Sequence, residues 1–241
     1  MPRIQHRLTS LLITLLTTAA MATPTTFEAT LKTRAARWVG TPYQLGPLGE
    51  GPRAHIDSKP LYRTDAFDCE TFITTVLAQS LASKQHSTLY WMLHLRYRTP
   101  DHPSYFSRNH FPSLDWNPNA RALGLILDIT TQLKNPHGQP YATFAQARID
   151  KLSWFKQHLP AQALTSSALS AAGALSPKHV TLTYIPLKAF LNKSGKLNHT
   201  LLRQLPSIII VEYVRDHWVP APHFGTHMLV SHMGFLIHSE K

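Results

Sequence analysis

Apolar residues recur at helical spacing twice in the first third of the chain. Leu31, Ala35 and Val39 stand four apart, predicting an amphipathic helix over 27–39 that Gly40 ends and Pro42 bars from continuing. Phe72, Ile73, Val76, Leu77 and Leu81 repeat the pattern and predict a second helix over 70–82, with Asp68 as its N-cap. Between the two, Gly46-Pro47-Leu48-Gly49-Glu50-Gly51-Pro52 reads as loop. Residues 88–120 mix aromatics, histidines and prolines with no clean period. Stretches such as Arg108-Asn109-His110-Phe111 and Leu114-Asp115-Trp116 fit a binding loop or a packed loop equally. Helical pattern resumes over 141–158. β-Branched runs then predict strands at 181–185, 207–214 and 227–237, the last with Val230, His232, Gly234 and Leu236 on one face. Helices early and strands late predict an α+β domain.

The first residues stand apart from this pattern. Arg3 and Arg7 precede an apolar run from Leu8 to Leu16, and Ala20-Met21-Ala22 has the small-x-small form of a cleavage site. Residues 1–22 therefore read as an export signal, too short in its apolar part to be a bilayer anchor, and 23–241 as a single domain. Stable membrane insertion is not expected. Export with a single cysteine, and so no internal disulfide, fits a periplasmic or cell-wall location. The net charge of +11 falls by two with the signal arginines. No run of five basic residues occurs, and export argues against nucleic acid; a polymer rich in carboxylates suits the charge better.

The lone cysteine, Cys69, follows the N-cap directly. A thiol in the first turn of a helix meets unpaired N–H groups and the positive end of the dipole, so a nucleophilic thiolate is expected there. Such a thiolate needs a base. Among fifteen histidines, His232 stands out because it lies mid-strand between apolar neighbours, where an unpartnered polar group would be costly.

Several blocks, in order along the chain, carry a family resemblance. Trp38-Val39-Gly40-Thr41-Pro42-Tyr43, Leu48-Gly49-Glu50-Gly51, Phe67-Asp68-Cys69-Glu70-Thr71-Phe72 and Ser231-His232-Met233-Gly234-Phe235 resemble the NlpC-type cell-wall hydrolases. Glu70-Thr71, with Arg108-Asn109-His110-Phe111, Asp115-Trp116 and Tyr184-Ile185-Pro186, resembles the N-acetylmuramoyl-L-alanine amidase-like branch. The resemblance implies a papain-like fold with the nucleophile at the start of a helix packed on an antiparallel sheet. It implies Cys69 as nucleophile, His232 as base and Tyr43 beside the nucleophile, holding or polarising the substrate carbonyl. The reaction implied is cleavage of the amide between the muramyl lactyl group and L-alanine of peptidoglycan or muropeptides, without metal or cofactor. Glu50, Asp68, Arg108, Asn109 and Trp116 are candidate substrate-cleft residues. Each could equally be structural, Asp68 as a cap; Asp115 reads as a residue that orients a neighbour.

In that superfamily a polar residue on a later strand orients the histidine, and here only nine residues follow His232. His238 lies six residues along the same strand, about 20 Å away at the rise of an extended chain, too far for a hydrogen bond. The expectation is a C-terminally truncated sheet with impaired activity and an aggregation-prone edge, and His110 as the first upstream substitute to test. Three other readings stay open: a stem-peptide endopeptidase, a muropeptide-binding protein without turnover, and a zinc amidase using His217, His223, His227 and His232. Pro222 and Gly225 make the helix needed by the last improbable.

Overall fold

The computed structural model describes residues 24–192, 194–215 and 224–237. The export signal at 1–22, His217, His223 and His238 lie outside them. Helix α1 spans Pro24–Arg37 and α2 Cys69–Leu81, and α2 takes Asp68 as its N-cap as expected. The mixed stretch after α2 is mostly helical. It holds α3 (Thr88–Arg96), a π-helical turn at Pro112–Trp116 and α4 (Asn117–Ala122). A Ser87 side-chain cap starts α3, and Tyr97 ends it in extended conformation.

The predicted helix over 141–158 is corrected. It divides into strand β1 (Thr143–Ile149) and helix α5 (Lys151–His158). Ala145, Ala147 and Ile149 alternate with exposed residues along β1, a period of two hidden in the sequence by residues that also favour helix. Asp150 ends the strand and caps α5 by accepting from the Ser153 N–H. Short helices α6 (Ser166–Ala171) and α7 (His199–Leu202) flank β2 (Lys178–Tyr184); β3 (Ile208–Val214) and β4 (Val230–Ile237) follow. Helices and strands thus interleave, and the strands form two antiparallel pairs, β1–β2 and β3–β4. The class is α+β.

Two apolar clusters organise the molecule. In the first, α1, α2 and the α2-facing side of β3–β4 bury Leu31, Ile73, Val76, Leu77, Ile208 and Met233 around Trp116. Rings of Trp38, Phe67, Phe72 and Phe235 meet edge-on in succession and tie the end of α1 to α2 and to β4. In the second, β1, β2 and α5 enclose Phe155, Trp154 and Phe111. The π-helical turn joins them, since Phe111 lies in one cluster and Trp116 in the other. Among the described residues no helix is long and apolar enough to cross a membrane.

Candidate active site

Cys69 is the first residue of α2, half-buried, with its start fixed from both directions. The Thr71 N–H donates to Asp68 Oδ1 at 2.8 Å, while the Asp68 N–H donates to Thr71 Oγ1 at 2.9 Å, a reciprocal cap. Asp68 Oδ2 accepts the Gly46 N–H at 2.9 Å, so both carboxylate oxygens are engaged within the protein. Of the two readings of Asp68, the cap is what the structure forms.

Segment 42–46 runs beside this cap. The Phe67 N–H donates to the Pro42 carbonyl at 3.1 Å and the Gln44 N–H to the Phe67 carbonyl at 2.9 Å. These bonds place Tyr43 next to the thiol: its hydroxyl is pushed above its ordinary value by burial first, then by Cys69 and Asp68. Tyr43 nevertheless remains 66% exposed.

The thiol itself departs from expectation. Burial raises its pKa above the ordinary value, and the charges of Asp68 and Glu70 raise it further. The backbone N–H groups of Met233 and Glu70 oppose this without cancelling it. The helix start alone argues for a thiolate; desolvation and two flanking carboxylates outweigh it here. The sequence showed Glu70 only as a family marker, yet it is part of the site's electrostatics. It accepts from Thr74 Oγ1 at 2.6 Å, and burial raises its own pKa against the pull of Arg96.

The candidate cleft residues separate on inspection. Trp116 is a correction: it is 1% exposed in the core, its indole N–H donating to Thr74 Oγ1 at 3.2 Å, and it cannot line a cleft. The Asn109 amide donates to the Leu95 carbonyl at 2.9 Å and holds the end of α3. Arg108 Nε donates to Glu50 Oε1 at 2.8 Å, its Nη2 pairs with the same oxygen, and Nη2 reaches Asp57 Oδ2 at 3.0 Å. Asp57 was missed, because nothing in a loop sequence marks which acid an arginine fifty residues away will choose. The Tyr97 hydroxyl bonds Glu50 Oε1 at 3.2 Å and the Gly49 carbonyl at 3.0 Å. Glu50 is thus buried in a protein-internal network, its side chain 3% exposed.

His232 is placed differently from the reading that selected it. Met233 and Phe235 face α2, so by alternation His232 stands on the opposite side of β4. There its imidazole is exposed, against the Tyr213 ring with centroids 5.7 Å apart, rather than buried among apolar neighbours. Its backbone adjoins Met233, whose N–H faces the thiol. Among the described residues no hydrogen bond joins the imidazole to Cys69. His110 is also accounted for elsewhere. Its Nε2 donates to the Tyr105 carbonyl at 2.7 Å among Tyr105, Trp154 and Phe155, and burial pushes its pKa well down. Asp115 does orient a neighbour, holding the buried Lys151 ammonium at 2.6 Å. Among the described residues no three His, Cys, Asp or Glu side chains are grouped to hold a metal ion.

Comparison with known proteins bears on this arrangement. The family model AmiA-like, described as N-acetylmuramoyl-L-alanine amidase-like, matches residues 34–241. Among solved structures, a protein of Legionella pneumophila str. Philadelphia 1 from the DUF1460 family is 34% identical with a TM-score of 0.74. The match covers 88% of this chain and 74% of that one. An N-acetylmuramoyl-L-alanine amidase from Bacteroides uniformis is 23% identical with a TM-score of 0.58, covering 89% and 81%, a likeness of fold. Comparison with curated proteins gives no match. With the family model spanning most of its length, the chain belongs to the N-acetylmuramoyl-L-alanine amidase-like family of cell-wall hydrolases.

Proposed function

We propose that this protein is an exported, periplasmic thiol amidase on a papain-like, NlpC-type scaffold, releasing the stem peptide from N-acetylmuramic acid in peptidoglycan or its fragments. The observation that carries the reading is the lone thiol at the first position of a doubly anchored helix, with the exposed Tyr43 beside it, in a chain of an amidase-like family. In this scheme Cys69 Sγ attacks the carbonyl carbon of the lactyl–L-alanine amide. The carbonyl oxygen takes up the negative charge, within reach of the Cys69 backbone N–H at the helix start and of the Tyr43 hydroxyl. The C–N bond breaks as the L-alanine nitrogen accepts a proton, and water hydrolyses the remaining thioester to return the thiol.

Because burial, with the Asp68 and Glu70 charges, raises the thiol pKa, attack calls for a base during the reaction rather than a standing ion pair. His232 is assigned that role from its place one residue before Met233. To act, it requires a backbone rearrangement of β4, because the pleat and not a side-chain torsion sets which face of a strand a residue occupies. Cys69→Ser and His232→Ala should each lower turnover of purified muropeptides by about a hundredfold or more. Mass spectrometry should find a free peptide beginning with L-alanine and a peptide-free muramyl sugar. Fragments cut after D-glutamate would instead make the protein an endopeptidase. Bound but uncut muropeptide would make it a binding protein. Export is tested by the amino-terminal sequence of the mature protein, expected to begin at Thr23.

A further inference from the structure

The Glu50–Arg108–Asp57 cluster closes a loop, and that loop ends on the cap of the Cys69 helix. Arg108, in the loop between α3 and the π-helical turn, clamps two acids seven residues apart, while Glu50 N–H donates to the Asp57 carbonyl at 2.9 Å. Gly49 N–H donates to the Pro60 carbonyl at 3.0 Å and Gly51 N–H to the Lys59 carbonyl at 2.8 Å, so 49–51 lie tightly against 57–60. A Cβ at Gly49 would stand 2.5 Å from the Asp57 carbonyl oxygen, so the approach leaves no room for any side chain. One end of the closed loop is Gly46, whose N–H sits on Asp68 Oδ2. Just before it come Tyr43 and the bonds to Phe67 that set Tyr43 beside Cys69. Leu48, buried against Ala78 and Met92, anchors the middle of the segment on α2 and α3.

Arg108 commits Nε and Nη2 to the two acids, and its guanidinium lies over the Tyr105 ring at 4.9 Å. We propose that Arg108 and Glu50 are positioning residues for Cys69, holding the 46–61 loop so that Gly46 fixes the Asp68 cap and Tyr43 stays beside the thiol. This rests on Cys69 being the nucleophile. A residue that acts this way changes the geometry of the attacking group and not the binding of distant parts of the substrate, so its loss falls on kcat.

The experiment compares Arg108→Ala, Arg108→Lys and Glu50→Gln with the unaltered chain by three readouts. These are kcat and KM on a muropeptide, hydrogen exchange of the Gly46 amide, and the pH profile of Cys69 alkylation by iodoacetamide. The expected result for Arg108→Ala is a kcat lower by about 10- to 100-fold with KM within about twofold. Gly46 exchange should accelerate and the alkylation profile should move. Arg108→Lys, which can still face one acid, should fall between the two and serves as the test if the alanine variant does not fold. A rise in KM alone, with Gly46 exchange and the alkylation profile unchanged, overturns the proposal and makes Arg108 a substrate contact. Exchange and alkylation need no muropeptide, so a wrong substrate assignment would leave those two arms standing.

Discussion

The sulfur of Cys69 stands between two backbone N–H groups that favour its charge and two carboxylates that oppose it, within a partly desolvated pocket. Desolvation is the largest of these influences, so the thiol should ionise above its ordinary value of 9.0. The alkylation rate with iodoacetamide should accordingly still be rising past that pH. Glu70→Gln removes one opposing charge and leaves the amide able to accept from Thr74. It should move the profile toward lower pH and speed alkylation near neutrality by about threefold to tenfold. Superimposable profiles would show that Glu70 does not act on the thiol. Cys69, Asp68 and Tyr43 were legible as a group because they fall within short motifs. The sign of the thiol's shift was not legible, since it depends on how much water the fold removes from the sulfur.

At the scale of elements, β3 brings an acid onto the face that packs against α2. Glu212 lies opposite Met233, and its Oε2 accepts from the Asn117 amide at 2.9 Å. Its Oε1 is buried with no hydrogen-bond partner among the described residues. Burial raises its pKa above the ordinary 4.5, with Asp128 adding to the effect and Asn117 and Arg121 opposing it. A carboxyl with a raised folded value contributes stability below its unfolded pKa and loses that contribution as pH rises through the folded one. Glu212→Gln should therefore raise stability to urea at pH 8 by about 1 kcal/mol, and the gain should vanish in acid near pH 4. A gain that persists unchanged in acid would assign the effect to packing instead. The strand itself was legible from its β-branched run, whereas β1 was hidden, because Ala, Gln and Arg suit a helix and only the alternating burial of Ala145, Ala147 and Ile149 reveals a strand.

Across the whole molecule the π-helical turn couples the two apolar clusters, with Phe111 on one side and Trp116 on the other. The turn also carries Asp115, which pairs with Lys151 of α5 inside the second cluster. A buried pair costs little while intact and much when broken, because the remaining charge has no water and no partner. Asp115→Ala should lower stability by about 3 kcal/mol or more, and Trp116→Ala by about 3–5 kcal/mol through the cavity it leaves. In each variant, unfolding followed by tryptophan fluorescence and by far-ultraviolet circular dichroism should remain one coincident transition. Separate midpoints would show that the clusters unfold independently.

What the sequence determined by itself is local. Glycine and proline bounded the loops, apolar spacing marked α1 and α2, β-branched runs marked β2, β3 and β4, and an N-cap beside a lone cysteine marked the candidate site. These signals depend on a few neighbouring residues, so the chain carries them before it folds. Only the tertiary structure decided which polar residues face one another. It committed Arg108 to Glu50 and Asp57, put Trp116 in the core and His232 on the outer side of β4, and raised the thiol's pKa. Those outcomes depend on contacts between distant segments and on the exclusion of water. Neither quantity exists until the elements pack.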